Sequence, residues 1–269
     1  MRLRVEHSTH YSYSRPLQHA IQTFCLTPGS SAHQTVEHWR LLGPGQLFGS
    51  VDGYGNHPHT ANLPRLTPSG VVRAEGVVRT HPVDSLQDEP SATSPWLYTR
   101  PTRLTSHAGF DDFARPVLGA GPLDAASALA LAHAVADRVR YAAGHTDVGT
   151  SAAQAFTRGK CVCQDQAHVY IAACRSVGLP ARYVSGYFHA PDVPELASHA
   201  WAEVCIDVAA ARWLSVDITH RCLIDERHVR LAVGPDYGHC PPVRGVRSGG
   251  GEESMRVTVK VFEQADATV

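Results

Sequence analysis

A helix that buries one face, followed at once by three strands, constrains this fold more than any other feature of the sequence. Apolar residues recur at helical spacing from Cys163 to Cys174. Gly178 and Pro180 then end the helix. Strand patterns follow at 181–188, 199–207 and 212–217. The second half of the chain is therefore predicted to pack helices on an antiparallel sheet.

Two further helices are predicted before this segment. An amphipathic pattern runs between Pro122, which can start a helix, and Gly144, which can stop one. A shorter helix is expected between Ser151, a natural N-cap, and Gly159. Both helices precede the central one, so the second half opens as a helical layer.

Short strand-like stretches separated by turn residues fill the first part of the chain. Turn sequences such as ProGly at 28–29 and GlyProGly at 43–45 separate them, which predicts an antiparallel β-sandwich. Residues 84–101 are polar and interrupted by prolines, as in a linker or a strap across a surface. A β-rich N-terminal domain is therefore expected at 1–100, and a catalytic core with a C-terminal strand at 101–269.

Composition argues against several classes of protein. Lys and Arg number 24 against 25 Asp and Glu, so neither nucleic acid nor an anionic membrane is expected as a partner. No run approaches the roughly 18 apolar residues of a membrane span. The 17 histidines are scattered without a tight tract, so no metal or other cofactor is predicted. Seven cysteines, an odd number, and an N-terminus without an apolar segment favour a reducing cytoplasm.

Cys163 stands where the central helix begins. A helix N-terminus carries the positive end of the macrodipole and unpaired N–H donors, and both favour a thiolate. The same donors can stabilise an oxyanion. On this segment alone, a reactive thiol and a small buried hydrophobe are equally good interpretations. A zinc site is disfavoured because Cys161 and Cys163 lack the usual two-residue gap.

A nucleophilic cysteine needs a general base that a third group orients. His199 opens one predicted strand, and Asp217 closes the next. If these strands form a hairpin, antiparallel pairing places the two residues side by side. Glu203 and Asp207 are alternative partners, but a surface charge and a turn residue explain them more simply. Taken singly, His199 and Asp217 are also compatible with purely structural roles.

Four segments in this order resemble the catalytic core of the bacterial transglutaminase-like family: GKCVCQDQAH, GLPARYVSGYF, SHAWAEV and RWLSVDIT. The opening HSTHYSYSRPL resembles the β-rich N-terminal domain of these proteins, and the tail from residue 236 is similar to their end. The resemblance implies an α+β fold in which a papain/transglutaminase-like core follows an N-terminal antiparallel β-sandwich. It also implies a Cys-His-Asp triad formed by Cys163, His199 and Asp217.

The resemblance further implies acyl transfer on amide bonds of a peptide or protein, through a thioester. Hydrolysis by a cysteine peptidase or amidase is favoured, because water is always present and no calcium loop of the EF-hand type is visible. Transglutaminase cross-linking and a non-catalytic binding module are the alternatives. Gln164, Trp201 and Tyr187 are expected near the substrate or the oxyanion. Cys161 is a candidate resolving or regulatory thiol.

Overall fold

The computed structural model describes residues 1–63, 69–89, 92–191 and 198–265. These residues form an α+β fold, as predicted from the sequence. The first part contains strands only, apart from a short 3₁₀ helix at Pro95–Thr99. Its strands are β1 (Arg2–Tyr13), β2 (Leu17–Phe24), β3 (Gln34–Leu42), β4 (Leu47–Gly49), β5 (His59–Leu63), β6 (Ser69–Thr80) and β7 (Leu86–Gln87).

The second part begins with helices and ends with strands. Its helices are α1 (Asp111–Leu118), α2 (Ala125–Arg138), α3 (Ala152–Arg158) and α4 (Cys163–Ser176). Its strands are β8 (Arg140–Tyr141), β9 (Lys160–Cys161), β10 (Ala181–Phe188), β11 (His199–Asp207), β12 (Arg212–Asp217), β13 (Cys222–Leu223), β14 (His228–Gly234), β15 (Val243–Gly249) and β16 (Glu253–Glu263).

Most predicted elements of the second part are confirmed. The strands β10, β11 and β12 have the predicted bounds, and α3 follows its Ser151 cap and stops at a left-handed Gly159. The stop predicted at Gly144 is wrong, because α2 ends at Arg138 and the next residues form β8, which pairs with β9. Helix α1 had no sequence prediction.

Two four-stranded antiparallel sheets form the β-rich part. Their strand orders are β16-β1-β6-β3 and β15-β2-β5-β4. The strand predicted at 255–262 lies within β16, which pairs with β1 from Leu3↔Glu263 to Tyr13↔Glu253. Buried side chains from both sheets join one hydrophobic cluster with those of the helices. The strands β1 and β16, far apart along the chain, thus lie side by side, and the predicted division at residue 100 stays a prediction.

A separate antiparallel sheet carries the predicted site. Its strand order is β13-β12-β11-β10-β14, and β7 adds to β12. The strand β7 comes from the stretch 84–101, of which residues 90 and 91 lie outside the described part. Asp88 in the same stretch binds Arg182 of β10 through two hydrogen bonds of 2.6 and 2.9 Å. Where it is described, this stretch therefore acts as a strap on the core sheet.

Helix α4 is buried on every side rather than along one face. Its residues from Asp165 to Arg175 are all buried. The helix packs against β10 and β11 and against the other three helices. Tyr170 donates a hydrogen bond to the Ala128 carbonyl of α2 at 3.2 Å. Within the described residues, no helix combines the length and apolarity that crossing a bilayer requires.

The stability of the fold is expected to fall in mild acid because of His7 in β1. This side chain is 2% exposed, and its Nδ1 lies 2.9 Å from the hydroxyl of Tyr187 in β10. Burial lowers the pKa of His7 to about 4. The unfolded chain therefore binds this proton first, and stability is lost as pH falls from about 6.5 towards 4. Near pH 5 the loss should reach about 2 kcal/mol.

Urea unfolding near pH 7 and near pH 5 measures this loss. A His7→Asn variant, which has no titrating ring, should show a smaller difference between the two conditions. Equal differences for the variant and the wild type would show that His7 does not contribute to the acid sensitivity.

Candidate active site

Cys163 is the first residue of α4, and its side chain is half-buried. The helix starts there because Asp165 caps it: the Asp165 carboxylate accepts hydrogen bonds from the Val162 N–H at 3.1 Å and the Thr146 hydroxyl at 2.7 Å. The N–H groups of Asp165 and Gln166 bond to the Val162 carbonyl. The N–H groups of Cys163 and Gln164 precede these bonds, and donors at a helix N-terminus can stabilise an anion.

His199 and Asp217 are hydrogen-bonded neighbours. The hairpin formed by β11 and β12 pairs Ala202 with Val216, which brings the start of β11 beside the end of β12. The His199 Nε2 lies 2.7 Å from the Asp217 Oδ2. Asp217 is fully buried, and His199 is 9% exposed. The predicted adjacency of these two residues is therefore present.

Cys163 lies close enough to His199 to raise the pKa of that imidazole, so the structure brings the three predicted residues together. Because Nε2 of His199 faces Asp217, Nδ1 is the ring nitrogen left for the sulfur. Burial alone would lower the pKa of His199, but its hydrogen bond to Asp217 and the nearby Cys163 raise that pKa to about 10. The pair therefore favours a protonated imidazole beside the sulfur. The catalytic roles of the three residues stay predictions.

Asp217 is held as a carboxylate by more partners than the sequence suggested. Burial would raise its pKa, but hydrogen bonds from His199, His220 and His228 hold that pKa far below its usual range. The His220 Nδ1 lies 2.7 Å from Asp217 Oδ2, and the His228 Nε2 lies 3.0 Å from the same oxygen. Neither histidine was singled out from the sequence. Only His220 had a signal in the sequence, because it directly follows the segment RWLSVDIT that contains Asp217.

Gln166 connects α4 to the turn that follows Asp217. Its side-chain NH₂ donates to the Val139 carbonyl at 2.8 Å, and its carbonyl accepts from the Thr219 hydroxyl at 2.7 Å. Both ends of this amide are thus used, and the side chain is buried. Gln166 therefore fixes the helix that carries Cys163 against the turn that carries His220.

The three tentative substrate residues have different environments. Gln164 is half-exposed beside Cys163, and its side-chain amide lies 3.5 Å from the Val148 carbonyl. Trp201 is fully buried and donates to the Ser215 hydroxyl at 2.9 Å. Tyr187 is also fully buried, against His7. Contact of these three residues with a substrate stays a prediction.

Cys161 lies close to Cys163 but in a different environment. Its side chain is fully buried in β9, and burial raises the pKa of its thiol to about 12. A buried neutral thiol is a poor nucleophile. A resolving or regulatory role for Cys161 stays a prediction.

The interpretation of Glu203 as a surface charge is wrong. Glu203 is fully buried and binds the guanidinium groups of Arg182 at 2.6 Å and Arg230 at 2.9 Å. Burial opposes ionisation, yet Arg230 and Arg182 lower the pKa of Glu203 to about 2. Asp207 does lie at the surface turn, 3.3 Å from Arg212. Glu203 is therefore the centre of a buried ion cluster rather than a partner of His199.

Replacing Glu203 by Gln should strongly destabilise the protein. The change removes the carboxylate that the buried Arg182 shares with the partly exposed Arg230, and breaking a buried ion pair in this way typically lowers stability by about 3–5 kcal/mol. Urea unfolding at neutral pH measures the effect. Asp207→Asn is the matched control, because an exposed ion pair contributes only about 0–1 kcal/mol. Similar losses for the two variants would contradict the buried cluster.

Comparison with known proteins assigns the chain to a class. The sequence profile of the Transglutaminase-like superfamily matches residues 111–218, which include Cys163, His199 and Asp217. The profile of the Bacterial transglutaminase-like N-terminal region matches residues 3–79. Fold and sequence thus define a transglutaminase-like protein. The chain belongs to the transglutaminase-like superfamily, among the bacterial members that carry this N-terminal region.

The chain is similar to other bacterial proteins over nearly its whole length. The uncharacterized protein ML0607 of Mycobacterium leprae is 30% identical over 290 aligned positions, covering 98% of this chain and 99% of the relative. The uncharacterized protein Rv2569c of Mycobacterium tuberculosis is 28% identical, covering 94% and 90%. A crystal structure of a candidate cysteine protease from Cytophaga hutchinsonii superposes with a TM-score of 0.77 at 20% identity, covering 99% and 92%.

These comparisons establish family and fold. The likeness to the solved structure shows a shared fold across both parts of the chain. Membership of the superfamily supports thiol-dependent acyl transfer as the general chemistry of the site. The particular reaction is a matter of proposal.

Proposed function

We propose that this protein transfers acyl groups from the amide bonds of peptides or proteins through a thioester on Cys163, and that hydrolysis is its main outcome. One observation carries the proposal. Cys163 stands at the N-terminus of α4 and acts on the pKa of His199, whose ring is fixed by a 2.7 Å hydrogen bond to the buried Asp217. This arrangement gathers a nucleophile, a base and an orienting carboxylate in one site.

The first half of the reaction forms the thioester. The Cys163 sulfur attacks the amide carbonyl carbon, and the carbonyl oxygen becomes an oxyanion near the N–H groups of the first helical turn. His199 holds the proton that left the thiol and passes it to the leaving amine. The C–N bond then breaks, the amine departs, and the acyl group stays on sulfur. Asp217 keeps the imidazole in the tautomer that this transfer needs.

The second half releases the acyl group. His199, now neutral, takes a proton from water, and the resulting hydroxide attacks the thioester carbonyl. The C–S bond breaks, and a carboxylic acid leaves while Cys163 recovers its starting state. Hydrolysis is favoured because the half-exposed Cys163 is within reach of water. A primary amine that replaced water at this step would make the protein a transglutaminase instead.

A casein-like peptide, offered with and without a labelled primary amine, tests the proposal. We expect cleavage of amide bonds in both mixtures, with little incorporation of the amine. Incorporation in preference to cleavage would favour the transglutaminase alternative. Neither product, from protein that is folded by circular dichroism, would favour the non-catalytic binding module and contradict the proposal. A His199→Ala variant measured in parallel identifies turnover that does not depend on the site.

A further inference from the structure

Three histidine nitrogens converge on one oxygen atom of Asp217. Oδ2 lies 2.7 Å from His199 Nε2, 2.7 Å from His220 Nδ1 and 3.0 Å from His228 Nε2. Oδ1 receives the backbone N–H of His220 at 3.1 Å. A carboxylate oxygen offers about two lone pairs, so three N–H donors exceed what Oδ2 can accept. The four side chains have more donors than acceptors at their common centre.

The same four side chains form a set of metal ligands. One ligand atom from each of His199, Asp217, His220 and His228 lies within 4.8 Å of the others. Three imidazoles and one carboxylate suit Zn²⁺, which binds nitrogen and oxygen ligands at about 2.0–2.2 Å in tetrahedral geometry. A metal ion at the centre would accept the nitrogen lone pairs directly. It would thus remove the excess of donors on Oδ2.

The surroundings of these ligands are those that a metal site requires. Histidine ligands usually bond through their second ring nitrogen to a carboxylate. The His228 Nδ1 lies 3.1 Å from Asp225 Oδ1, and Arg227 holds the Asp225 carboxylate at 2.9 Å. The ring of Phe188 stacks on His220 with 4.0 Å between ring centres and 21° between ring planes. Both rings are therefore held in place from outside the cluster.

The cluster also has an entrance and a favourable charge. His228 is fully buried, but the side chain of His220 is 37% exposed. An ion can therefore reach the ligands from the His220 side without unfolding the sheet. The buried carboxylate of Asp217 lies at the centre of the cluster, and its negative charge attracts a cation.

We propose that His199, Asp217, His220 and His228 bind one Zn²⁺ ion, and that this ion switches off the reaction proposed for Cys163. The inhibitory part of the proposal rests on the proposed function, whereas the binding part does not. The sequence analysis predicted no metal because the ligands are distant from one another along the chain, and the fold gathers them around one carboxylate.

Inhibition follows from the chemistry of His199. With Zn²⁺ on Nε2, the ring carries a single proton, on Nδ1 facing the sulfur. Transfer of that proton to a leaving amine would produce an imidazolate instead of a neutral imidazole. His199 would then be a much weaker acid, and the C–N bond of the substrate would not break. When the ion is removed, the His199 ring can again alternate between its neutral and its protonated form.

Binding is tested by calorimetric titration of ZnCl₂ into protein that has been treated with a chelator. The Cys163→Ala variant is used as the parent, so that the thiol is absent and activity plays no part. We expect one Zn²⁺ per chain. Adding His220→Ala should weaken binding by at least about 100-fold, and adding Asp225→Asn by about 10–100-fold. His10→Ala, at an exposed histidine of β1, is the matched control and should change nothing.

Two results would overturn the binding proposal. One is a Cys163→Ala protein that binds no Zn²⁺, which would place any wild-type binding on the thiol. The other is a folded His220→Ala protein that binds as tightly as its parent. Thermal unfolding of each variant establishes that it is folded. Co²⁺ gives a second readout. Co²⁺ bound to the wild type is expected to absorb visible light without the thiolate-to-metal charge-transfer band that a cysteine ligand would produce.

Inhibition is measured separately in the wild type. ZnCl₂ should suppress amide turnover, EDTA should restore it, and the residual turnover of His220→Ala should resist the same ZnCl₂ concentration. Turnover that is unaffected by bound Zn²⁺ would reject the switch. A wild type without amide turnover would reject the proposed function while leaving the binding result intact.

Discussion

Replacing Cys163 by Ala is expected to lower amide turnover by roughly 10⁴- to 10⁶-fold, because a triad without its nucleophile retains only substrate binding and oxyanion stabilisation. The reason is local: the thiol lies beside His199, and no thioester can form without it. Initial rates of peptide cleavage measure the loss. The alanine side chain is smaller than the thiol and half-exposed at this position, so folding should be preserved.

Cys222→Ala provides the matched control for this variant. Cys222 is half-buried like Cys163, but it lies in β13 and not at the start of a helix. The amide turnover of Cys222→Ala should stay near that of the wild type. A Cys163→Ala protein with undiminished turnover would reject the thiol mechanism altogether.

Asp217→Asn should reduce kcat by about 10⁴-fold with little change in KM. Asparagine keeps the shape of the side chain, but its NH₂ group cannot accept a hydrogen bond from the His199 ring. The imidazole then adopts the wrong tautomer, and it loses the charge that stabilises its protonated form. A steady-state comparison of kcat and KM measures the effect.

Stability must be followed alongside activity for this variant. Asp217 is fully buried and accepts from three histidines, so the substitution will also destabilise the fold. Activity is therefore measured well below the unfolding temperature of the variant. A folded Asp217→Asn protein with kcat within tenfold of the wild type would contradict the assigned role.

The local elements could be predicted from the sequence because their signals are local. Periodicity, caps and turn residues gave α3 and the bounds of β10, β11 and β12. The hairpin of β11 and β12 then placed His199 beside Asp217 by geometry alone. The helix N-terminus singled out Cys163, which lies far from this hairpin along the chain, and the family resemblance favoured a reactive thiol there over a buried one.

Long-range pairing is what the sequence did not reveal. Residues 140–141 stop α2 early because they pair with β9, and β16 pairs with the first strand of the chain. The burial of Glu203 depends on one arginine from β10 and another from β14, so the sequence of β11 alone suggests that the charge faces solvent. Likewise, His228 reaches Asp217 only after β14 returns to the sheet. Such contacts have no signature in a single window of residues.

The reactivity of Cys163 towards iodoacetamide tests the central claim most directly. The wild type is alkylated near neutral pH for short times, and peptide mapping by mass spectrometry gives a separate rate for each cysteine. Cys163 should be alkylated at least about tenfold faster than Cys222, because only Cys163 has both a helix N-terminus and a histidine partner. In His199→Ala this advantage should largely disappear. Equal rates for the two cysteines in the wild type, or an unchanged Cys163 rate in His199→Ala, would contradict the account.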